Sequence, residues 1–157
     1  MKSASRNSGD AMTDTTDIAL DDGLRELIGY SMKRATTMVT ADAARVLEPM
    51  GLRITTFSAL TVICNAPGVR QTELAAALGM ERSNSVAVID TLEKSHWITR
   101  ERSAQDRRAI ALQPTTAGIM RQKQARLALL THEDRMFADL SPIERRDLVK
   151  LLSKIRA

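Results

Sequence analysis

A mainly α-helical fold with one small β-hairpin is predicted for this 157-residue chain. Three observations predict it. Apolar residues recur at helical spacing over most of the length. Two of those helical stripes, within residues 71–94, are separated only by a glycine turn. The segment after them alternates like a short hairpin before the helical period resumes.

Residues 1–17, MKSASRNSGDAMTDTTD, are small and polar, offer little to bury and read as a loose tail. They lack the apolar centre of a secretory signal, and no apolar run approaches the ~20 residues that cross a bilayer. A cytoplasmic protein with no membrane partner is therefore expected. The first helix carries Leu24, Leu27, Ile28, Ser31, Ala35, Met38, Val39, Asp42 and Val46, and ends near Pro49-Met50-Gly51, where Pro and Gly stop propagation. The next, about Thr55 to Asn65, turns Phe57, Leu60, Ile63 and Cys64 inward and stops at Ala66-Pro67-Gly68.

Leu74, Ala75 and Leu78 form a third stripe that stops at Gly79, and Val86, Ile89 and Leu92 restart it. Two amphipathic helices joined by so few residues must cross steeply. Trp97 to Arg100 and Ala109 to Leu112 read as the strands of the hairpin, with Ser103 to Arg108 between them. Thr115 or Thr116 can cap a long helix that runs through Leu127 and Leu130 to about Phe137. The final helix has the sharpest start: Ser141-Pro142-Ile143-Glu144 supplies a capping serine, a first-turn proline and a reciprocal glutamate. Leu148, Leu151, Leu152 and Ile155 make its apolar stripe.

Helix, tight turn, helix and hairpin in this order make a winged helix-turn-helix, and that arrangement points to DNA. On the second helix Ser83, Asn84, Ala87, Thr91 and Lys94 lie along one face, small and polar, with acids only at Asp90 and Glu93. With Arg82 and Ser85, they are the candidate major-groove residues. At the hairpin tip, Asp106, Arg107 and Arg108 suit a minor groove, where negative potential concentrates and a guanidinium sheds water easily. Asp106 can orient Arg108 by accepting a hydrogen bond. The charge supports a polyanion partner: the chain is +4, and from Arg82 to Arg126 nine bases (Arg82, Lys94, Arg100, Arg102, Arg107, Arg108, Arg121, Lys123, Arg126) face four acids (Asp90, Glu93, Glu101, Asp106). Only 3% of residues are aromatic, so the core must be aliphatic.

The segments VIDTLEK, DRRAIAL, TTAG and LSPIERRDLVKLLSKI give the chain, from Leu24 to Ile155, a resemblance to the MarR-type winged-helix transcriptional regulators. The resemblance implies a dimer joined by N- and C-terminal helices, two winged domains on a pseudo-palindromic operator, and Arg108 as the minor-groove arginine of an Asp-x-Arg motif with Asp106. It also implies the division 1–17 tail, 18–52 N-terminal dimerisation helix, 53–113 DNA-binding domain and 114–157 C-terminal dimerisation helices. Val86 and Ala87 stand where the family often has Thr-Arg, and Thr91 where it often has a further arginine, so those arginine contacts do not carry over. Base reading then falls to Arg82, Ser83, Asn84 and Ser85 at the helix start. His96 stands where a Gly usually ends the helix, in a left-handed cap that is less comfortable for His.

The terminal apolar stripes suit a second copy of the chain, although a stripe alone does not reveal which chain it faces. The resemblance further implies an effector pocket between the dimerisation helices and the winged domain. Tyr30, Arg34, Met38, Arg53 and Phe57 come from the corresponding segments, and either arginine can pair a carboxylate or phosphate. GYSMKRA and LEPMGLRITTFSALTVI are similar to members associated with aromatic-acid catabolism, including sensors of aromatic thioesters of coenzyme A. The expectation is a ligand-responsive repressor. Two other classes remain: a thiol-responsive regulator through Cys64, the sole cysteine, and a winged-helix module that binds protein. Cys64 lies in LTVIC with no neighbouring cation to lower its pKa, which favours an inert thiol. His96 and His132 lie far apart and outside any ligand spacing, and neither a phosphate loop nor a catalytic motif is present, so no metal, cofactor or enzymatic activity is expected.

Overall fold

The computed structural model describes residues 21–102 and 110–155. Seven α-helices, one 3-10 turn (Glu48–Met50) and three short strands are found there: α1 (Asp22–Arg25), α2 (Ile28–Leu47), α3 (Ile54–Asn65), β1 (Val69–Arg70), α4 (Gln71–Ala77), α5 (Arg82–Lys94), β2 (Ile98–Arg102), β3 (Ile110–Pro114), α6 (Thr116–Met136) and α7 (Pro142–Leu152). The chain divides into two compact units, Met1–Ala35 and Thr36–Ala157. The expected tail, 1–17, lies outside the described residues.

The first unit corrects the expectation of one continuous N-terminal helix. α1 closes after four residues and α2 starts afresh at Ile28. At the break the Ser31 hydroxyl donates to the Arg25 carbonyl at 2.9 Å, replacing the amide that the next helical turn would have supplied. Tyr30 Oη and Arg25 Nε donate to the two carboxylate oxygens of Asp21 at 2.8 and 2.9 Å, and Arg34 pairs with the same group. The Tyr30 hydrogen bond and the two guanidinium charges hold this carboxyl below its ordinary range.

In the second unit the core forms where α3, α4, α5, α6 and the sheet converge. Leu47, Leu60, Ile63, Leu74, Ile89, Leu92, Ile98 and Leu112 are its buried large side chains, each contributing about 1.5–3 kcal/mol relative to exposure. The sheet has order β1-β3-β2, entirely antiparallel, with Val69 opposite Leu112 and Arg100 opposite Leu112 on the other side. The expected hairpin therefore supplies the central strand and one edge of a three-stranded sheet. β1 is too short to show a period, and its place is fixed instead by Gly68, at φ 90°, whose amide donates to the Leu112 carbonyl at 2.8 Å.

The turn between α4 and α5 and the turn from α5 into β2 close in the same way. Beyond α4, Gly79 (φ 59°) and Met80 donate back to Ala76 and Ala75 at 3.2 and 2.9 Å; beyond α5, His96 (φ 58°) and Trp97 donate to Glu93 and Leu92 at 2.9 and 3.0 Å. This double closure needs a left-handed residue, free of strain for Gly but not for His. The helix that follows the sheet is capped by Thr115, not Thr116: its hydroxyl accepts from the Gly118 amide at 3.0 Å and donates to the His96 carbonyl at 2.8 Å. Gly118 is required here, since a methyl group on it would lie 2.0 Å from the Trp97 carbonyl oxygen. At α7 the Ser141–Glu144 capping box forms as expected, and Arg145 fastens the helix to the end of α6 through the Phe137 and Leu140 carbonyls and Asp134.

His96→Gly is expected to raise the unfolding free energy by about 0.5–1 kcal/mol by relieving the left-handed strain. Urea denaturation measures it, and a decrease would show that the imidazole makes a stabilising contact.

Candidate nucleic-acid interface

The exposed face of α5 follows from which of its residues are needed inside. Ser85, Ile89 and Leu92 point into the core, and Ser85 is completely buried. Its hydroxyl donates to the Arg82 carbonyl at 2.7 Å and accepts from Gln71 Nε2 at 3.3 Å, which ties the start of α5 to the start of α4. The expectation that Ser85 meets DNA is thereby corrected, as is the inward placement of Val86, which is 40% exposed. The reason is angular. At about 100° per residue, positions 85 and 92 differ by only ~20° around the helix, whereas 86 and 92 differ by ~120°.

Arg82, Ser83, Asn84, Ala87, Thr91 and Lys94 are all exposed, and Val86 joins them. Thr91 spends its hydroxyl proton on the Ala87 carbonyl, at 2.8 Å, so it faces outward with a methyl group and an acceptor. The acids Asp90 and Glu93 are not free. Arg100 of β2 reaches both, pairing with Asp90 and lying 2.9 Å from Glu93 Oε2. Sequence reading missed this grouping because the partners belong to different elements and their spacing carries no period. The remaining interface candidates, Asp106, Arg107 and Arg108, lie outside the described residues, in the segment between β2 and β3.

The five candidate effector residues fall into separate surroundings. In the first unit Tyr30 and Arg34 meet at Asp21, and the Arg34 guanidinium stacks 5.9 Å from the Tyr30 ring centre. In the second unit Met38 is 64% exposed, Phe57 packs half-buried against the core, and Arg53 borders an open groove of about 540 Å³ lined by Ala44, Arg45, Glu48, Leu52, Ile54 and Thr55. Cys64 is also half-buried, and burial pushes its thiol pKa up. His96 is exposed, while His132 Nε2 is buried without a hydrogen-bond partner. Among the described residues no three His, Cys, Asp or Glu side chains converge as a metal site would require.

The chain is similar to proteins of known sequence and of known structure. Over 129 residues, covering 82% of this chain and 78% of the other, it is 30% identical to a Thauera aromatica protein named for transcriptional regulation of the hcr operon. Residues 52–110 match the sequence profile of the MarR family. The chain belongs to the MarR family. This MarR-family chain also superposes on the transcriptional repressor CouR bound to a 23-mer DNA duplex, with TM-score 0.82 and 36% identity over 87% of this chain and 96% of that one. CouR bound to p-coumaroyl-CoA matches with TM-score 0.75 and 34% identity over the same shares of the two chains. The relatives are transcriptional regulators rather than enzymes. Their shared fold is the winged helix-turn-helix that the residues themselves predicted.

In the native protein Cys64 is expected to react with iodoacetamide at neutral pH at least about tenfold more slowly than in denaturant. Equal rates would return this thiol to the candidates for an oxidant sensor.

Proposed function

We propose that the protein is a cytoplasmic, homodimeric transcriptional repressor that binds a pseudo-palindromic duplex operator and releases it when a small acidic effector binds. The observation that carries this reading is the outward row Arg82, Ser83, Asn84, Ala87, Thr91 and Lys94 on α5, with the helix's two acids paired by Arg100. Small and cationic groups on such a helix can approach base edges and phosphates in a major groove. In this reading the minor-groove contact falls to Arg108 of the Asp106-Arg107-Arg108 sequence. Supporting DNA as the partner is the DNA-bound form of CouR.

Dimerisation is supported by the helices at the two ends of the chain. Leu24, Leu27 and Ile28 in one unit, and Leu127, Leu130, Ile143, Leu148, Val149, Leu151, Leu152 and Ile155 in the other, are exposed large apolar residues. So much unburied apolar surface suits a two-fold partner, which would set two recognition helices about one DNA turn, ~34 Å, apart. The working division is residues 18–52 and 114–157 for dimerisation and 53–113 for DNA. For the effector we favour an aromatic carboxylate or its coenzyme A thioester, with Tyr30 and Arg34 in the first unit and Met38, Arg53 and Phe57 in the second as separate candidate contacts; CouR with p-coumaroyl-CoA supports that class. To act, such a compound must favour the dimer geometry that fits the operator poorly, since equal affinity for both geometries shifts nothing.

Low-salt retardation of random duplex tests the DNA reading against a protein-binding module. A shift that weakens steeply with salt is expected, and none would favour the module. Against the cognate operator, Arg108→Ala should cost about 1–3 kcal/mol of binding with little change in folding; unchanged binding would remove Arg108 from the interface. Thermal denaturation with p-coumaroyl-CoA and free aromatic acids tests the effector class. At about a hundred times Kd the native state should gain about 2.7 kcal/mol, and the absence of any shift across the series would exclude the class.

A further inference from the structure

α5 contains two acids, Asp90 and Glu93, and they lie one helical step apart beside the DNA candidates Thr91 and Lys94. Any carboxylate left bare there repels phosphates that approach the helix. One side chain meets both acids. Arg100, the third residue of β2, places Nη1 2.9 Å from Glu93 Oε2 and pairs through Nη2 with Asp90 Oδ1. The planar guanidinium can span two carboxylates in this way; a lysine ammonium, a single point of charge, cannot hold the same fork. All three side chains are only partly exposed, at 30% for Arg100, 42% for Asp90 and 40% for Glu93.

We propose that Arg100 is a positioning residue for DNA binding: it masks the two acids of α5 from phosphate and ties the C-terminal half of that helix to β2, the strand that leads into the wing. The assignment rests on α5 being the DNA-contacting helix. Arg100 itself touches no base in this scheme. Its two terminal nitrogens are committed to protein carboxylates, and its effect on DNA is transmitted through the charges it pairs. Partly exposed ion pairs contribute little to folding, so removing this one should affect binding far more than stability.

The test is anisotropy of labelled random-sequence duplex at low salt with four full-length proteins: wild type, Arg100→Ala, Asp90→Asn/Glu93→Gln, and the triple variant. Arg100→Ala should bind about tenfold more weakly because it uncovers both acids. The triple variant should return to within about twofold of Asp90→Asn/Glu93→Gln, because nothing remains to be masked. A triple variant that stays as weak as Arg100→Ala would overturn the proposal and make Arg100 a direct DNA contact; an Arg100→Ala protein that binds like wild type would also overturn it. Should Arg100→Ala fail to fold, the comparison of the triple with the double variant decides alone, equal affinity supporting the proposal and a loss refuting it. A wild-type protein that binds no duplex sinks the DNA reading itself, an outcome distinct from either of these.

Discussion

The approach of α6 to the backbone at Trp97 is the constraint on which the DNA-facing surface depends. Gly118 has no room for a methyl group against the Trp97 carbonyl, and that same carbonyl accepts the Thr115 amide at 2.9 Å. Thr115 reaches the His96 carbonyl with its hydroxyl, while the Trp97 amide closes the end of α5 on Leu92. The end of one helix, the start of a strand and the start of another helix are thus joined through three consecutive backbone groups, the His96 carbonyl and the Trp97 amide and carbonyl, and one threonine. Arg121 covers the junction, its guanidinium 5.5 Å from the Trp97 ring centre. With the backbone fixed there, β2 leaves α5 at a set angle, and Arg100 arrives where it can meet Asp90 and Glu93.

Local chemistry was the most legible part of this chain. The serine–proline–isoleucine–glutamate start of α7, the glycine stop at Gly79 and the left-handed strain at His96 are all decided within a few residues, and all appear where the sequence puts them. Errors arose where a decision is made elsewhere in the fold. The apolar side chain of Val86 predicts an inward position, yet the angle set by Ile89 and Leu92 selects Ser85, whose hydroxyl is satisfied by Arg82 and Gln71. β1 escaped notice because two residues show no period, and the break between α1 and α2 because the stripe of leucines runs straight through it. Of the site, the exposed row on α5 was readable from spacing, but its masking by Arg100 was not: an ion pair between a helix and a strand leaves no trace in linear order.

Polar and apolar surfaces are kept apart in the second unit. The face of α5 carries charge and small groups, whereas α6 and α7 leave isoleucine, leucine and valine in the open, with Val149 69% exposed. Groups as costly to hydrate as these are seldom clustered without an occupant. The cluster at Asp21, in the other unit, is of a different kind: one carboxylate satisfied by a phenol and two guanidiniums, so Arg34 already holds an anion of the chain's own, and an effector carboxylate would have to compete with it.

The division of labour along α5 has a consequence for how such a protein diversifies. Ser85, Ile89 and Leu92 answer to the interior, and Arg82, Ser83, Asn84, Ala87, Thr91 and Lys94 answer to solvent. Because the two sets interleave without sharing a position, mutation can rewrite the outer alphabet while the inner one keeps the helix seated. A lineage can therefore drift from one target sequence to another without passing through an unfolded ancestor.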